Sequence, residues 1–523
     1  MYWVDFDKYF CFSIRLSLTI MKLFSSTQIK EIDEYSIVHE PITSVALMER
    51  VAEILAHAIL DIYPHVNRFL VFCGPGNNGG DGLAVARLLA LQGKCLDIVL
   101  LYDQEKFSTD TLINYKRLKK TSCVTLHRID KLEDLPELGP QDVVIDAMFG
   151  TGLSRPLNGW PLEVVTYINS CQAEVVSIDM PSGLPGEDCS GFPSDGIVCA
   201  TNTLTLQFPK LSFFFPENEK YVGLFQVLPI GLHPQALTTI PTPYQFITAS
   251  NVKPLLPKRA TFGHKGTFGH LLLIAGSKGM MGASVLSARA ACRAGVGLVT
   301  SHVPSGQGQI VQIAVPEVLV VEDMDTVCFS SISNIKTYSA IAVGPGISKH
   351  QKARVALRQL LKEVESPLLL DADALNIIAE ERDMLDMLPP NTILTPHPKE
   401  LSRLVGDWSN SFQRLELQQA FALKYQVVLL CKGAFTTIAL PNGDLLFNST
   451  GNSGMATGGT GDVLSGIIGG LLAQGLTSVD AAILGVYLHG LAGDISAGEI
   501  GQQALTASDL VNNLGKAWLS ILK

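Results

Sequence analysis

The sequence lacks the signals that mark several special classes of protein. Its ten cysteines are scattered singly, with no C-x-x-C pair and no metal-ligand spacing, which argues against a disulfide framework or a zinc module. It has no block of lysine and arginine, and its formal net charge of −10 argues against a nucleic-acid partner. No apolar run approaches the length of a membrane span. We therefore expect a cytoplasmic protein with reduced thiols that binds neither nucleic acid nor membrane.

Charged residues are also scarce, at 17% of the 523 residues against 47% for hydrophobic residues. This balance is typical of packed globular domains, and the length favours two or three of them. A stretch rich in proline and threonine interrupts the pattern of apolar runs near the middle of the chain. We predict two α/β domains, residues 21–235 and 257–523, joined by a linker at 236–256.

Within each predicted domain, strand-like apolar runs alternate with helical patterns. Such alternation is typical of a parallel sheet covered by helices on both faces. The strand-like runs are RFLVFCG, CLDIVLLY, DVVIDAMFG, AEVVSIDMPSG and NTLTLQF in the first domain, and GHLLLIAG, YSAIAVGPG, SPLLLDADAL, NTILTPHP and QVVLLCKG in the second. A hairpin that turns at Asn442-Gly443 follows the last of them.

A glycine-rich turn, GPGNNGGDG at Gly74–Gly82, lies between a predicted strand and a predicted helix. It satisfies G-x-G-x-x-G, the outline of a dinucleotide-binding turn, although such turns also occur for structural reasons alone. Asn77, Asn78 and Asp81 add polar groups to a turn whose geometry needs only glycine. The free amides at the start of the following helix attract phosphate groups. We therefore interpret this turn as part of a nucleotide-binding site.

Two further polar turns follow later strands of the same domain. Asp146 ends one predicted strand and is followed by the amide-rich sequence Gly150–Gly152, and Asp179 and Ser182 end the next strand. Each aspartate taken singly is explained as a helix cap or a turn residue. Ligands of doubly wound sheets lie at the carboxyl ends of the strands, where these turns would meet. Together the three turns predict one polar site.

A second glycine cluster, GGTGDVLSG at Gly458–Gly466, opens another apparent helix. Gly458, Gly459 and Gly461 leave backbone amides bare, and such amides stabilise a phosphoryl group in transit. Asp462 is placed to orient or deprotonate an attacking hydroxyl group, as the catalytic aspartate does in kinases. No G-x-x-x-x-G-K-[ST] sequence is present, so this is not a P-loop. Tight helix packing would also explain the later glycines, but not the carboxylate.

The segments GPGNNGGDG, DAMFGTGLSRPL and SIDMPSG resemble the N-terminal domain of the bifunctional NAD(P)H-hydrate repair enzymes, which restore hydrated nicotinamide cofactors. The resemblance implies a Rossmann-like three-layer domain with NAD(P)H-hydrate epimerase (isomerase) activity, which interconverts the R and S forms of NAD(P)HX. It implies that Asp179 is the catalytic acid or base, and that K⁺ is held by Asn78, Asp146 and Ser182. The implied NAD(P)HX-binding residues are Asn77, Asn78, Gly79, Gly80, Asp81, Gly150, Thr151, Gly152, Leu153, Ser154, Arg155, Pro156 and Asp179.

The second half is similar to the ribokinase-like C-terminal dehydratase of the same enzymes, through FGHKGTFGHLLLIAGSKGMMGASVLSARAACRAGVGLVT, GPGI, TPHPKEL, CKGAFT and the Gly-Thr-Gly-Asp loop. This resemblance implies a lyase that dehydrates S-NAD(P)HX to NAD(P)H while ADP is cleaved to AMP and phosphate. It implies Mg²⁺ to neutralise the phosphoryl charge, and Asp462 as the catalytic residue. NAD(P)HX would be contacted by Ala283, Gly346, His397 and Asp462, and AMP or ADP by Lys432, Gly433, Ala434, Phe435, Thr436 and Gly461.

Several residues of the second half also have plainer interpretations. His397 alone is typical of a structural histidine at a strand end, and Lys432 alone of a solvated charge. The aspartates of DADAL, Asp371 and Asp373, are predicted to cap a helix. The alternative is that they interact with a bound Mg²⁺ without coordinating it directly. Lys399 departs from the family, which usually has glycine after His-Pro, and would alter the loop at His397.

The two implied activities belong together chemically, because a stereospecific dehydratase alone would leave one epimer of the damaged cofactor unrepaired. Three alternatives stay open at this point. They are a kinase for a vitamin-precursor alcohol with a non-catalytic N-terminal domain, an oxidoreductase, and a non-enzymatic interaction protein. The residues do not distinguish ADP from ATP, or the NADH form from the NADPH form, on physical grounds. We expect small-molecule ligands and a homo-oligomer of unspecified size.

The first twenty residues are predicted to lie outside the folded domains. Asp5 and Asp7 precede their apolar run and Arg15 interrupts it, unlike a signal peptide, whereas a clean helical pattern resumes from Met21. We therefore predict that Met21 is the working start. Mass spectrometry of the native N-terminus tests this, and a mature protein that begins at Met1 would contradict it.

Overall fold

The computed structural model describes residues 21–129, 131–332 and 334–522, which form two compact units. The N-terminal unit contains Lys22–Tyr244 and Asp407–Leu417, and the C-terminal unit contains Gln245–Gly406 and the chain from Gln418 onward. The predicted extension at residues 1–20 lies outside the described residues.

The N-terminal unit is built on a seven-stranded parallel sheet with helices on both faces. After β1 (Met21–Lys22), which lies at the division between the units, its strands are β2 (Arg68–Cys73), β3 (Cys95–Leu100), β4 (Val124–Arg128), β5 (Val143–Ala147), β6 (Glu174–Ile178), β7 (Asn202–Leu206) and β8 (Leu224–Leu228). Its helices are α1 (Ser26–His39), α2 (Ser44–Ile62), α3 (Asn77–Leu91), α4 (Thr109–Leu118), α5 (Trp160–Ser170), α6 (Glu219–Val222) and α7 (Pro234–Thr239). The strand order is β4-β3-β2-β5-β6-β7-β8.

Alternation along β2 shows why this sheet is covered on both faces. Phe69 and Val71 belong to the same core as the inner side of α2 and α3, whereas Leu70 and Phe72 pack in a second core with α5. In the register of the sheet, Phe72 lies opposite Asp146 of β5. The carboxyl ends of β2 and β5 are therefore level with each other, and so are the turns that follow them.

The C-terminal unit has a mainly parallel sheet with the strand order β18-β17-β16-β15-β14-β13-β10-β11-β12. After β9 (Tyr244–Ile247), which lies at the second division between the units, these strands are β10 (His270–Ile274), β11 (Leu298–Val303), β12 (Leu319–Glu322), β13 (Ala340–Val343), β14 (Leu368–Leu370), β15 (Ile393–Leu394), β16 (Val428–Cys431), β17 (Thr437–Ala439) and β18 (Leu445–Asn448). The helices are α8 (Ala249–Val252), α9 (Met281–Ala294), α10 (Gly308–Ala314), α11 (Gln351–Glu363), α12 (Ala372–Glu380), α13 (Pro398–Val405), α14 (Ser411–Tyr425), α15 (Thr460–Ala473), α16 (Ser478–Ile500) and α17 (Ala507–Leu522). The first part of α14, through Leu417, is assigned to the N-terminal unit. Only β17 runs antiparallel to both of its neighbours among these strands.

All ten predicted strands are present, and the predicted hairpin is confirmed, with β17 and β18 pairing Ala439 opposite Leu445. The sequence did not reveal the short strands β1 and β9 at the divisions between the units, nor, within the two sheets, β4, β8, β11 and β12. The last four have physical explanations. Of these, β4, β8 and β12 lie at sheet edges and are partly exposed, so they lack a continuous apolar run. The fourth, β11, buries Thr300, Ser301 and His302, so its core position is not apparent from hydrophobicity.

Short regular elements occupy the stretch that was predicted as a linker. Strand β9 and helix α8 both lie within residues 236–256, and the chain passes between the units at Tyr244. No disulfide bond is present in the described part of the chain. None of the described helices combines the length and the apolar character that a membrane crossing requires.

Candidate active sites

The first candidate site lies at the carboxyl ends of β2, β5 and β6. Helix α3 begins there with Gly76 as its N-cap residue, which has no side chain to bond the first amides of the helix. A Cβ atom at Gly79 would lie only 1.9 Å from the carbonyl oxygen of Gly74, so this position admits only glycine. Thr111 Oγ1 holds the turn from outside by donating to the carbonyl oxygen of Gly76 at 2.8 Å. The result is a fixed turn whose first amides suit an anion.

The end of β5 carries a buried carboxylate surrounded by neutral donors. Asp146 accepts hydrogen bonds from Ser177 Oγ at 2.8 Å and from the amide and hydroxyl of Ser182 at 2.8 and 2.5 Å. Burial raises the pKa of Asp146, and the hydrogen bonds only partly oppose this. Nearby, Asn78 lies beside Gly150, and within the described residues its buried Nδ2 atom has no hydrogen-bond partner. A cation would be held by oxygen atoms only: the buried Asp146 carboxylate, the Ser182 hydroxyl and the Asn78 Oδ1 atom are oxygen donors of the kind a monovalent cation takes, whereas the unpaired Nδ2 is a hydrogen-bond donor that suits an acceptor on a ligand.

Asp179, just beyond β6, is held in an unusual conformation by a lysine that the sequence did not reveal. Its φ of +64° is costly for an aspartate. Lys210 is buried and donates to Asp179 Oδ1 at 2.6 Å, and the amide of Leu206 donates to the same oxygen at 3.1 Å. Lys210 Nζ also donates to Thr205 Oγ1 at 2.9 Å and to the carbonyl oxygen of Phe208 at 3.0 Å. The ammonium is therefore saturated with acceptors and fixes the Asp179 carboxylate.

Two protonatable carboxyl groups accompany this ion pair. Burial raises the pKa of Asp81 on α3 well above its usual range, and the negative charge of Asp179 raises it further. Burial also raises the pKa of Asp33 on α1 to about 7, again helped by Asp179. Like charges at close range resist joint ionisation, so burial and the charge of Asp179 both favour the protonated forms of Asp81 and Asp33. The cluster thus combines proton donors with a carboxylate that can accept a proton.

The structure brings most of the predicted residues of the first site together. Asn77–Asp81, Gly150, Asp146, Asp179 and Ser182 surround the carboxyl ends of the three strands. Gly152 and the segment 154–156 are exposed, and Thr151 and Leu153 are partly buried. The sequence analysis did not identify two residues of this site, Lys210 and Asp33. The sequence contains a weak indication of Lys210, since a charged residue within the apolar sequence QFPKLSFFF is unusual. Asp33 had none, because it reads as an ordinary polar position of an amphipathic helix.

The second candidate site lies where α15 begins. Its N-cap is Gly459, whose φ of +91° favours glycine and which again has no side chain to bond the first amides. Ser287 Oγ donates to the carbonyl oxygen of Asp462 at 2.8 Å, and His489 Nε2 lies 2.9 Å from the carbonyl oxygen of Thr460. Burial lowers the pKa of His489 to about 4, so the imidazole is neutral and donates this bond. Two neighbouring helices therefore fix the first turn of α15.

A charged network lies at this helix start. Lys432 Nζ donates to Asp371 Oδ1 at 2.8 Å, and Ser465 Oγ, from α15, donates to Asp371 Oδ2 at 2.7 Å. A Cβ atom at Gly461 would lie 3.4 Å from Lys432 Nζ. Burial raises the pKa of Asp462 to about 6, and the charge of Asp371 adds to this. Asp462 therefore has the proton affinity of a general base that works near neutral pH.

The prediction that Asp371 and Asp373 cap a helix is wrong for Asp371. It occupies the N-cap position of α12, but its side chain makes no cap bond there. The carboxylate is almost fully buried, and a buried charge is better satisfied by the ammonium of Lys432 than by a single amide. The prediction is also wrong for Asp373, which lies within the first turn of α12 and accepts from the amide of Ser348, outside any helix, at 2.9 Å.

The predicted substrate residues of the second half lie on the same edge of the sheet. A Cβ atom at Gly346, whose φ is +63°, would lie 3.3 Å from Ala283 Cβ, so these two residues are neighbours. His397 caps α13 by accepting from the amide of Lys399 at 3.2 Å, while its own amide donates to Glu400 at 2.9 Å. Lys399 does not have the positive φ that would require glycine, so this departure from the family leaves the loop intact.

The predicted nucleotide residues form a turn after β16. Thr436 Oγ1 donates to the carbonyl oxygen of Gly433 at 3.0 Å, and Phe435 has a φ of +51°. The amide of Lys432 donates to the carbonyl oxygen of Pro396 at 2.9 Å, so this turn starts next to His397. Lys432 and Gly461 meet at the start of α15, whereas Gly433 and Ala434 are exposed.

The raised pKa of Asp33 predicts a stability gain on its neutralisation. A carboxyl group whose pKa rises from 3.8 to about 7 on folding favours the folded state below pH 4, and this contribution is lost as the pH rises through 7. Asp33→Asn should therefore increase the free energy of unfolding of the N-terminal unit at pH 8 by about 3 kcal/mol. Urea unfolding at pH 8 and at pH 4 measures the difference.

Most of the gain should be lost at pH 4, where the wild-type carboxyl is protonated in the folded state and partly protonated in the unfolded state. Glu34→Gln, at the exposed neighbouring position, is the matched control and should change little at either pH. An Asp33→Asn variant that is less stable than wild type at pH 8, or equally stabilised at both pH values, would contradict the prediction.

Comparison with known proteins covers both units. Residues 44–212 match the family described as YjeF-related protein N-terminus, and residues 271–516 match the family described as NAD(P)H-hydrate dehydratase. The Bifunctional NAD(P)H-hydrate repair enzyme Nnr of Moorella thermoacetica is 36% identical over 512 residues, which cover 94% of this chain and 96% of that protein. The enzyme of the same name from Escherichia coli K12 is 33% identical over 476 residues, 90% of this chain and 89% of that protein.

A solved structure also aligns with the C-terminal half. The ADP/ATP-dependent NAD(P)H-hydrate dehydratase from Bacillus subtilis, co-crystallised with ATP and Mg²⁺, is 33% identical with a TM-score of 0.47, over 53% of this chain and 98% of that chain. The full-length relatives span both units at more than 30% identity. This chain therefore belongs to the family of bifunctional NAD(P)H-hydrate repair enzymes.

Proposed function

We propose that this chain repairs hydrated nicotinamide cofactors in two steps. The N-terminal unit epimerises R- and S-NAD(P)HX, and the C-terminal unit dehydrates S-NAD(P)HX to NAD(P)H while ADP is cleaved to AMP and phosphate. The observation that carries the proposal is that each unit places acidic side chains beside a helix start capped by glycine. A pyrophosphate or a phosphoryl group can be held by the amides while a carboxyl group moves a proton.

In the epimerase site, inversion requires the hydroxyl group of the hydrated ring to leave and water to return to the other face. The leaving hydroxyl must gain a proton, and the incoming water must lose one. We assign proton donation to Asp81 and Asp33, whose protonated forms are favoured by burial, and proton acceptance to the Asp179 carboxylate that Lys210 fixes. The predicted binding residues Asn77 through Asp81 and Gly150 through Pro156 would hold the rest of the cofactor.

In the dehydratase site, Asp462 takes the proton of the substrate hydroxyl, whose oxygen then bonds to the terminal phosphorus of ADP. The bond from that phosphorus to the bridging oxygen breaks, and AMP leaves. Loss of phosphate, together with a proton from the adjacent ring carbon, restores the double bond of NAD(P)H. Ala283, Gly346 and His397 would contact the hydrated cofactor. The turn Lys432–Thr436, with Gly461, would contact the nucleotide.

Two cations fit these sites differently. K⁺ would be held by Asn78, Asp146 and Ser182, where it would offset the buried charge of Asp146. Within the described residues, no group of three or more histidine, cysteine or acidic side chains could hold a metal ion. Mg²⁺ would therefore be carried to the C-terminal site mainly by the nucleotide phosphates. It would neutralise charge on the phosphoryl group.

Removing one acid at a time should separate the two activities. With ADP and Mg²⁺, the wild-type protein should convert an R/S mixture of hydrated NADH completely, and the near-ultraviolet absorbance of reduced nicotinamide reports the product. Asp462→Asn should slow dehydration by about 10²- to 10⁴-fold, because the hydroxyl loses its base, and should leave epimerisation intact. The Asp179→Asn protein should dehydrate the S form at the normal rate and leave the R form unconverted, because the epimerase site has lost its proton acceptor.

Chromatography of the two epimers provides the second readout for each variant. An Asp462→Asn protein with full dehydratase activity would show that the second site is assigned wrongly. A stable phosphorylated product in place of free phosphate would favour a small-molecule kinase instead.

A further inference from the structure

The two pairs, Lys210–Asp179 and Lys432–Asp371, each join a buried aspartate to a lysine, but they differ in how many of the ammonium donors are bonded. Lys210 Nζ donates to the Asp179 carboxylate and also to a hydroxyl and two carbonyl oxygens, at 2.6 to 3.3 Å. Within the described residues, Lys432 Nζ has a single hydrogen-bond acceptor, Asp371 Oδ1 at 2.8 Å. An ammonium has three N–H donors, so Lys432 retains two for a ligand.

The position of Lys432 defines which ligand atoms these donors can reach. Its Nζ atom lies 3.4 Å from where a Cβ atom of Gly461 would stand, in the first turn of α15, and Asp462 is the next residue. Asp371 is anchored on its other side by Ser465 of α15, so the ammonium cannot move far from this turn. Lys432 therefore lies beside both the amides of the helix start and the catalytic carboxylate.

The surrounding charges show why a cation is needed there. Asp371, Asp462 and Glu400 all act electrostatically on Lys432, and Asp373 acts on Asp462. A transferring phosphoryl group is itself negative and would be repelled by these carboxylates. An ammonium with two unused donors at this point supplies fixed positive charge where the phosphoryl oxygens must lie.

We propose that Lys432 contacts the phosphoryl group that is transferred, as a catalytic residue, instead of serving the AMP part of the nucleotide, and that Asp371 is its positioning residue. This inference rests on the proposed dehydratase function. In the step concerned, the substrate oxygen bonds to the terminal phosphorus of ADP, the bond to the bridging oxygen breaks, and AMP leaves with that electron pair. The hydroxyl proton goes to Asp462. Lys432 keeps its protons and donates hydrogen bonds to the phosphoryl oxygens.

The test compares the binding of ADP, which carries the phosphoryl group to be transferred, with the binding of AMP, which lacks it. We expect Lys432→Met to lower kcat by about 10²- to 10³-fold, the loss typical of one electrostatic donor in a transition state. Binding of ADP, measured by calorimetry with Mg²⁺, should weaken at least tenfold, and binding of AMP by less than threefold. Lys432→Arg should restore part of kcat. Lys399→Met removes an exposed lysine near the same site and should change none of these values.

A second variant keeps the test valid if the unpaired Asp371 destabilises the protein. The double variant Asp371→Asn/Lys432→Met removes both charges and should keep the low kcat of Lys432→Met with a normal thermal unfolding curve. Asp371→Asn alone should lower kcat by a smaller factor and leave AMP binding unchanged.

Three results would overturn the inference. The first is AMP binding that weakens as much as ADP binding in Lys432→Met, because Lys432 would then serve the AMP part. The second is a kcat that recovers in the double variant, because the unpaired Asp371 would then be the cause of the loss. The third is an unchanged kcat in Lys432→Met. A wild-type protein without dehydratase activity would refute the proposed function itself, and this inference with it.

Discussion

Each unit depends on an ion pair between a lysine and a buried aspartate that follows a strand of the central sheet. Removing a charge from water is costly, and a buried pair is stable only when both partners and their hydrogen bonds are in place. Breaking such a pair by deleting one partner typically costs about 3–5 kcal/mol. The pairs Asp179–Lys210 and Asp371–Lys432 therefore fix carboxylate geometry at the carboxyl ends of the strands. The acids to which we assign proton transfer, Asp81, Asp33 and Asp462, have pKa values raised mainly by burial and further by the charge of Asp179 or Asp371, while the paired lysine opposes the shift for Asp33 and Asp462.

The same arrangement serves two chemistries because the lysines are used differently. In the N-terminal unit the ammonium is fully bonded to the protein, so it orients Asp179 and has no donor left for a ligand. In the C-terminal unit the ammonium has donors to spare beside the glycine-capped start of α15. Epimerisation needs proton transfer without a change in phosphate bonding, whereas ADP-dependent dehydration needs a phosphoryl group to be stabilised in transit. Lys210, whose donors are all bonded to the protein, therefore suits the first reaction, and Lys432, which keeps unbonded donors, suits the second.

Much of the fold and of the two candidate sites could be predicted from the sequence, and the elements and residues that could not be predicted have physical explanations. The central strands were evident because they are buried on both faces and form continuous apolar runs, whereas the edge strands and the polar β11 were not. Both glycine turns were found because glycine and a neighbouring carboxylate at a strand–helix junction are rare together. Lys210 and Asp33 escaped because their partner, Asp179, is 31 and 146 residues away in the sequence. The partners of Asp371 were missed for the same reason, since Lys432 and Ser465 are brought to it only by the fold.

The central claim is that glycine-capped helix starts at Asn77 and Thr460 hold the anionic groups of two nucleotides beside proton-handling carboxyl groups. The most direct measurement is a crystal structure of the protein soaked with hydrated NADH and with ADP and Mg²⁺. The account predicts pyrophosphate oxygens at the amides of the first start and the terminal phosphate of ADP at the amides of the second, within hydrogen-bond distance of Lys432. Phosphates bound elsewhere, with both helix starts holding only water, would contradict it.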